Sequence, residues 1–342
     1  MNYEGKKILI IGGTGTLGQH LTRYLLRQNP QVIRIMSRDE YKQYEMQRHF
    51  TEHLSKLRFL IGDVRDGQRL LRAMEDIDCV FHLAAMKHVP FCEYNPFEAV
   101  QTNIIGTQNM IQSAIQSGVK KVLFTSTDKA ISPTNTYGAS KLMAERLISA
   151  AEYQKGPKKT VFASVRFGNV MGSRGSVIPL FVKQILEKRI VTITDLQMTR
   201  YMMTATQAIT LMLQANDISQ GGEVFVLKMP TILLVDLVDV VIEEVCKKYG
   251  ISEKVVREEI GLRPGEKRYE ELMTEDETLH AWETPNMFIV PSAFRDEKWE
   301  TPYPNAQKMQ QCTVNSHQEQ PIDRDTLRQW ILEEGLIKGD LS

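Results

Sequence analysis

Much that would tie a chain to a membrane, an oxidising compartment or a nucleic acid is missing here. No apolar run approaches the roughly 20 residues of a membrane-spanning helix. The opening stretch, MNYEGKKILI, has no long apolar segment of the secretion-signal kind. Cysteine is scarce. Cys79, Cys92, Cys246 and Cys312 stand far apart without a C-x-x-C pair, which predicts free thiols in a reducing compartment and argues against a disulfide framework or a zinc site. Charge of either sign is not in surplus. Lys plus Arg and Asp plus Glu number 42 each, and no basic run supports nucleic-acid binding. Internal repeats and low-complexity tracts are absent too. These absences predict a cytoplasmic protein whose partner is a small molecule, with no nucleic acid and no membrane.

What is present is alternation. The stretches 31–38, 56–62, 78–85, 120–127 and 160–167 read as strands, with helical patterns between them, including Pro96 to Ser117 and Tyr137 to Tyr153. That rhythm predicts an α/β fold, a Rossmann-type doubly wound parallel sheet with helices on both faces. It breaks after about residue 170 at the Gly/Ser-rich GNVMGSRGSV. Shorter, mixed pieces follow: helices near 177–188, 204–216 and 233–249, and strand-like 191–194 and 223–230. A chain of 342 residues suits one large domain with an attached lobe. The expected layout is a dinucleotide-binding domain over 1–170, with some later elements returning to it, and a smaller α/β substrate lobe over 171–290. A polar, extended segment and a last helix near 326–334 fill 291–342.

The first strand–helix junction, KKILIIGGTGTLGQHLTRYLL, carries Gly12, Gly15 and Gly18 as G-x-x-G-x-x-G. Ile8 to Ile11 read as a strand buried on both faces, and Leu17, Leu21, Tyr24 and Leu25 recur at helical spacing. Glycines at such a turn let the backbone approach a ligand closely, and the first N–H groups of the helix favour an anion such as a pyrophosphate. This is a dinucleotide-binding fingerprint. Thr14, Thr16 and Leu17 lie within it. The end of the second strand decides the cofactor. An acidic side chain there suits the ribose of NAD, and a basic one suits the phosphate of NADP. Ser37 and Arg38 come first and favour NADP; Asp39 and Glu40 follow and keep NAD as the alternative.

The stretch FTSTDKAISPTNTYGASKLMAE, residues 124–145, carries the chemistry. Tyr137 and Lys141 form Y-x-x-x-K, which puts both side chains on one helix face. An ammonium beside a phenol favours phenolate, so Tyr137 is expected to act as a general base tuned by Lys141. Ser126 and Thr127 close the preceding strand, a natural place for hydroxyls that hold a substrate oxygen. His82 and His88 have no third ligand at useful spacing, so no metal is expected, and His82 within a strand reads as a packed core residue.

With these motifs the chain resembles the extended short-chain dehydrogenase/reductases over nearly all its length. TSTDKA (125–130) narrows the resemblance to nucleotide-sugar 4,6-dehydratases that act on UDP-N-acetylglucosamine, of the soluble, C5-inverting type of pseudaminic acid biosynthesis. SRDE (37–40), GDVRD (62–66), AAMKHVPFCEYNP (84–96), TNIIGTQN (102–109), RFGNVMGSRGSVIP (166–179), ITDLQMTRY (193–201) and LRPGEKRYEEL (262–272) carry the same resemblance. It implies that Lys129 is the base for the C5 proton and Asp128 the acid for the departing C6 hydroxyl. Asp63 and Val64 would border the adenine, and Ala84, Ala85, Lys87 and Asn103 the cofactor, with Lys87 also near the substrate. Arg200 and Arg263 would hold the diphosphate, Glu266 the uridine ribose, and Asn169 the sugar-proximal phosphate. Ser176, Val177, Thr194 and Met198 would complete the substrate side, Thr194 near the uracil. A homo-oligomer formed through helices 96–117 and 137–153 is implied as well. The open alternatives are a retaining dehydratase, an enzyme of a partial step (5,6-ene or 5-epimerase), a UDP-sugar 4-epimerase and, in another class, a non-catalytic nucleotide sensor.

Overall fold

The computed structural model describes residues 2–173, 175–263, 265–294 and 303–338. Arg174 and Pro264 of two quoted motifs, and residues 295–302 of the expected extended segment, lie outside them. Six strands are parallel: β1 (Lys7–Ile11), β2 (Val32–Ser37), β3 (Leu57–Ile61), β4 (Cys79–His82), β5 (Lys121–Thr125) and β6 (Val161–Arg166). Their spatial order is β3-β2-β1-β4-β5-β6. The order reverses between β1 and β4, and ligands of such sheets bind beyond the strand ends at that switch point. The connecting helices are α1 (Thr16–Leu26), α2 (Glu40–His49), α3 (Gly67–Met74), α4 (Val89–Tyr94), α5 (Pro96–Ala99), α6 (Gly106–Ser117) and α7 (Thr136–Gln154).

The strands form because their apolar runs can be covered on both faces. Leu9, Ile11, Val80, Val122 and Phe124 pack with Met110, Ile111 and Ala114 of α6 and Ala144 and Ile148 of α7. The helix expected over 96–117 is not uniform. Between α5 and α6, residues Val100–Ile105 form a π-helical turn, a feature often found at functional sites. It turns Thr102 and Asn103 inward, where both are buried.

Beyond β6 come β7 (Asn169–Val170), α8 (Val177–Lys188), β8 (Ile190–Ile193), β9 (Thr199–Met203), α9 (Ala205–Ile218), β10 (Val224–Leu227), β11 (Thr231–Leu233), α10 (Leu234–Tyr249), β12 (Val256–Glu259), β13 (Glu271–Met273), α11 (Glu275–His280), β14 (Trp282–Glu283), β15 (Met287–Val290), β16 (Gln307–Lys308), β17 (Val314–Asn315) and α12 (Arg324–Glu333). The chain divides into two compact units, and not linearly. The first takes 1–167, 209–228 and 273–313; the second takes 168–208, 229–272 and 314–342. In the first, β10 adds parallel to β6, β15 adds antiparallel to β10, and β14 and β16 follow, making ten strands. In the second, β9 pairs with β7 and β11, and β8 pairs with β12. Its core joins Phe181 and Ile185 of α8, Leu237 and Val241 of α10, and Leu327 and Ile331 of α12. Among the described residues no helix is long and apolar enough to cross a membrane.

Candidate active site

The glycine turn follows β1. Gly12 has φ +82°, and a Cβ there would stand 2.7 Å from the backbone nitrogen of Ala84. Two backbones therefore meet at the switch point, and only glycine allows it. α1 starts with Gly15 as N-cap, without a side-chain cap and without an acidic residue in its first turn. A helix start of this kind favours an anion through its dipole. At the end of β2 the Ser37 hydroxyl accepts from Gln43 Nε2 at 3.0 Å. Asp39 caps α2 by accepting from the Lys42 amide at 3.0 Å, and it ion-pairs with Lys42 Nζ at 2.8 Å. Its carboxylate is thus engaged, while the Arg38 side chain is more than half exposed, with one loose pairing to Asp63 at 3.8 Å. Burial opposes charge on Asp63, but hydrogen bonds from Arg65 outweigh it and lower that carboxyl. Val64 is a core residue.

The loop after β4 carries Ala84, Ala85 and the exposed Lys87. Asn103 binds this loop from the π-helical turn. Its Oδ1 accepts from the Met86 amide at 2.8 Å, and its Nδ2 donates to the Met86 carbonyl and to Ser140 Oγ, both at 2.9 Å. Ser140 Oγ in turn donates to the Tyr137 carbonyl at 2.8 Å. Asn103 thus ties the loop to α7. His82 lies in the core, as its strand position suggests, with its Nε2 3.3 Å from Thr107 Oγ1. The Thr107 hydroxyl donates to the Asn103 carbonyl, so the imidazole nitrogen is the donor. Burial drives its pKa down to about 3 and keeps the ring neutral. Among the described residues no His, Cys, Asp and Glu cluster could hold a metal ion.

Ser126, Thr127, Asp128, Lys129, Tyr137 and Lys141 converge at the end of β5. Thr127 caps the short 3₁₀ turn Asp128–Ala130. The Asp128 side chain has no exposure. Its Oδ1 accepts from Thr127 Oγ1 at 3.0 Å and from Lys129 Nζ at 3.1 Å. Asp128 Oδ2 and Ser126 Oγ are buried and make no hydrogen bond within the protein. Gly138 lets α7 press on this turn. A Cβ there would fall 2.0 Å from the Lys129 carbonyl, and Asn135 Oδ1 fixes the helix start by accepting from the Gly138 amide at 2.8 Å.

Burial is the first influence on Tyr137. Burial pushes its phenol up to about 12, opposed by a hydrogen bond with Thr127 and by the charge of Lys129. The Lys141 ammonium donates to the Thr125 carbonyl at 2.5 Å and stands 4.0 Å over the Phe124 ring. Burial lowers its pKa to about 7, with Glu145 pulling the other way. The i, i+4 spacing puts both side chains on one face, but desolvation dominates both, which spacing does not report.

Apart from Lys87, the substrate residues taken from the resemblance lie in the second unit. Asn169 Nδ2 donates to the Tyr201 carbonyl at 3.1 Å. Ser176 is the N-cap of α8, its Oγ buried without a partner, and Val177 opens that helix. Thr194 Oγ1 lies 3.7 Å from Met198 Sδ. Arg200, expected at the diphosphate, makes its contacts within the unit. It donates to the carbonyls of Thr199, Arg268 and Lys267 at 2.8, 3.1 and 2.7 Å, and it stands 3.7 Å from Glu270. These bonds tie the half-buried Arg200 to the loop that carries Arg263 and Glu266. In that loop Glu266 accepts from the Arg263 amide at 3.1 Å, and the Arg263 side chain is exposed.

A 3-2-1-4-5-6 sheet, a glycine turn after its first strand and a Tyr/Lys helix after its fifth make up the extended short-chain dehydrogenase/reductase arrangement. Residues 8–292 match the family described as polysaccharide biosynthesis protein, and the chain belongs to that family. It is similar to a solved structure titled Pen, from Bacillus thuringiensis: 54% identity, 97% of this chain and 99% of that one, TM-score 0.91. It is 41% identical to UDP-N-acetylglucosamine 4,6-dehydratase (inverting) of Campylobacter jejuni, over 84% of this chain and 83% of that protein. It is 40% identical to UDP-glucose 4-epimerase of Rickettsia typhi, over 86% and 85%.

Proposed function

We propose that the chain is a nucleotide-sugar 4,6-dehydratase that uses NADP to convert UDP-N-acetylglucosamine into a 4-keto-6-deoxy sugar nucleotide, with inversion at C5. The likeness to the Campylobacter protein of that name supports the substrate class. The observation that carries the reading is the ion pair of buried Asp128 with half-buried Lys129 beside Tyr137.

The residues fit a dinucleotide: the Gly12 cradle and the uncapped α1 suit its pyrophosphate, and exposed Arg38 beside an engaged Asp39 suits a 2′-phosphate. Bound there, the nicotinamide would supply a hydride acceptor that later returns the hydride. The protein's own part is proton traffic. Tyr137 receives the proton of the 4-hydroxyl, with Ser126 or Thr127 orienting the sugar. The resulting 4-ketone acidifies C5. In the ion pair Lys129 is the ammonium and Asp128 the carboxylate. One proton moved across the 3.1 Å contact makes Lys129 a neutral amine base and Asp128 a neutral acid. Lys129 then takes the C5 proton, and Asp128 gives its own to the C6 hydroxyl, which leaves as water; return of the hydride to C6 and of a proton to C5, on the face opposite the one it left, gives the 6-deoxy-4-ketone inverted at C5. Neighbouring groups with opposite tasks are the general pattern of such sites.

The Rickettsia likeness favours a second reading, a 4-epimerase, which needs Tyr137 and the glycine turn but no acid–base pair. One experiment separates the two: an NMR spectrum of the product formed from UDP-N-acetylglucosamine in deuterated water. A 6-deoxy-4-ketone with deuterium at C5 is expected. An axial 4-hydroxyl with C6 still oxygenated would refute the dehydratase reading. Assembly of copies through 96–117 and 137–153 belongs to the proposal, supported by exposed Phe97, Ile105, Met143 and Tyr153. A monomer mass in light scattering at micromolar concentration would refute it.

A further inference from the structure

We propose that Phe124 is a positioning residue that holds the Lys141 ammonium on the face of its ring. The inference rests on the reading above only in that Lys141 serves Tyr137.

Phe124 and Thr125 close β5, and they offer Lys141 two different partners. The Thr125 carbonyl accepts from Nζ at 2.5 Å, and the same nitrogen stands over the Phe124 ring, 4.0 Å from its centroid. At that distance the ammonium itself, rather than the apolar stem, meets the ring. The negative face of an aromatic ring attracts a cation within about 6 Å, most strongly out of water. Phe124 and Lys141 are both buried. A buried ammonium needs partners for its charge, and burial opposes that charge here. The ring supplies one.

The ring is itself fixed. Phe124 packs with Val122, Ala144 and Ile148 in the core. The His82 ring, on the strand paired with β5, lies 5.6 Å from it and tilted by 45°. The cation is thus set against a packed side chain immediately before Ser126 to Lys129. An aliphatic side chain of similar volume would fill the same space but offer no negative face.

Charges on the elements packed against α7 are largely paired with one another. His82 of β4 is neutral. Asp128 and Lys129 of the 3₁₀ turn form an ion pair. Glu93 of α4 accepts from the Thr136 amide at the helix start, and Glu98 of α5 pairs with Arg65. Neither the π-helical turn nor α6 carries a titratable side chain. Glu145 of α7 favours the charged lysine, while Arg166 of β6 holds its carboxylate and that of Glu277. The ring adds to the pull of Glu145, and it does so by contact.

The test follows the Lys141 Cε resonance of the full-length protein through a pH titration, assigned by its loss in Lys141→Met. Phe124 is replaced by trifluorophenylalanine, which keeps the shape of the ring and removes most of its negative face. A desolvated contact of this kind corresponds to about one pH unit or more. The midpoint should therefore fall by about one unit, and the alkaline limb of kcat should move with it. Monofluorophenylalanine should lower the midpoint by less. An unmoved or raised midpoint in the trifluorinated protein would overturn the proposal. So would a fall confined to Phe124→Leu, which reports lost packing alone. That variant opens a cavity as well, so the fluorinated rings, nearly the parent in size, decide wherever it disagrees with them or does not fold. A lowered midpoint in a protein that releases no water from UDP-N-acetylglucosamine upholds the contact while sinking the dehydratase reading.

Discussion

Replacing Gly138 by alanine puts one methyl group where the structure has no space for it. In an ordinary helix the change would stabilise by up to about 1 kcal/mol through propensity. Here the new Cβ falls 2.0 Å from the Lys129 carbonyl oxygen, whereas real Cβ atoms essentially never come within 3.0 Å of another heavy atom. The two backbones must separate by about 1 Å, and neither is a flexible side-chain end. Overpacking of this kind costs about 1–3 kcal/mol, so the net change in unfolding free energy is a loss of about 0–2 kcal/mol. The effect on activity is larger. The 3₁₀ turn that moves carries Asp128 and Lys129, and α7 carries Tyr137. Displacement of reacting groups by about 1 Å costs on the order of 10²-fold in rate. The assays are urea unfolding and initial rates of water loss from UDP-N-acetylglucosamine. Gly67→Ala is the control, because its Cβ would meet nothing closer than 3.8 Å, at the start of α3; it should keep full activity. If Gly138→Ala is as active and as stable as the parent, the close approach of α7 to the turn does not hold the acid–base pair in place.

Lys129→Ala should retain oxidation at C4 but lose C5 deprotonation, so reduced cofactor accumulates in a single turnover while water loss falls about 10²–10⁴-fold; near-parental dehydration by the folded variant would make the pair a bystander. Arg38→Ala should weaken NADP far more than NAD in a calorimetric titration, and equal losses would remove Arg38 from the 2′-phosphate. Lys141→Met should raise the unfolding free energy at neutral pH while abolishing activity. The folded-state pKa of about 7 lies below that of the unfolded chain, so the desolvation penalty is full below pH 7 and fades as pH rises toward 10.5, where both states are neutral. The gain should shrink over that range in denaturant titrations, and a variant less stable than the parent at pH 7 would contradict this account.

The sequence alone determined the parts whose signals are local. Apolar runs between amphipathic helices specify a parallel sheet, because each run must be covered on both faces. A glycine turn after the first of them specifies a close backbone approach, met here by Ala84, and residues adjacent in the chain, such as Ser126 to Lys129, cannot avoid sharing a place. The tertiary structure decided what depends on burial and on distant partners. Asn103 faces inward because a π-helical turn rotates it onto Met86 and Ser140. Arg200 turns to the carbonyls of Lys267 and Arg268, which lie more than sixty residues away. Tyr137 and Lys141 share a face by spacing, yet their pKa values move in opposite directions because both are drawn out of water. Glu145, Arg166 and Glu277 meet only once β6 and α11 have packed, since desolvation and long-range ion pairing belong to the folded chain.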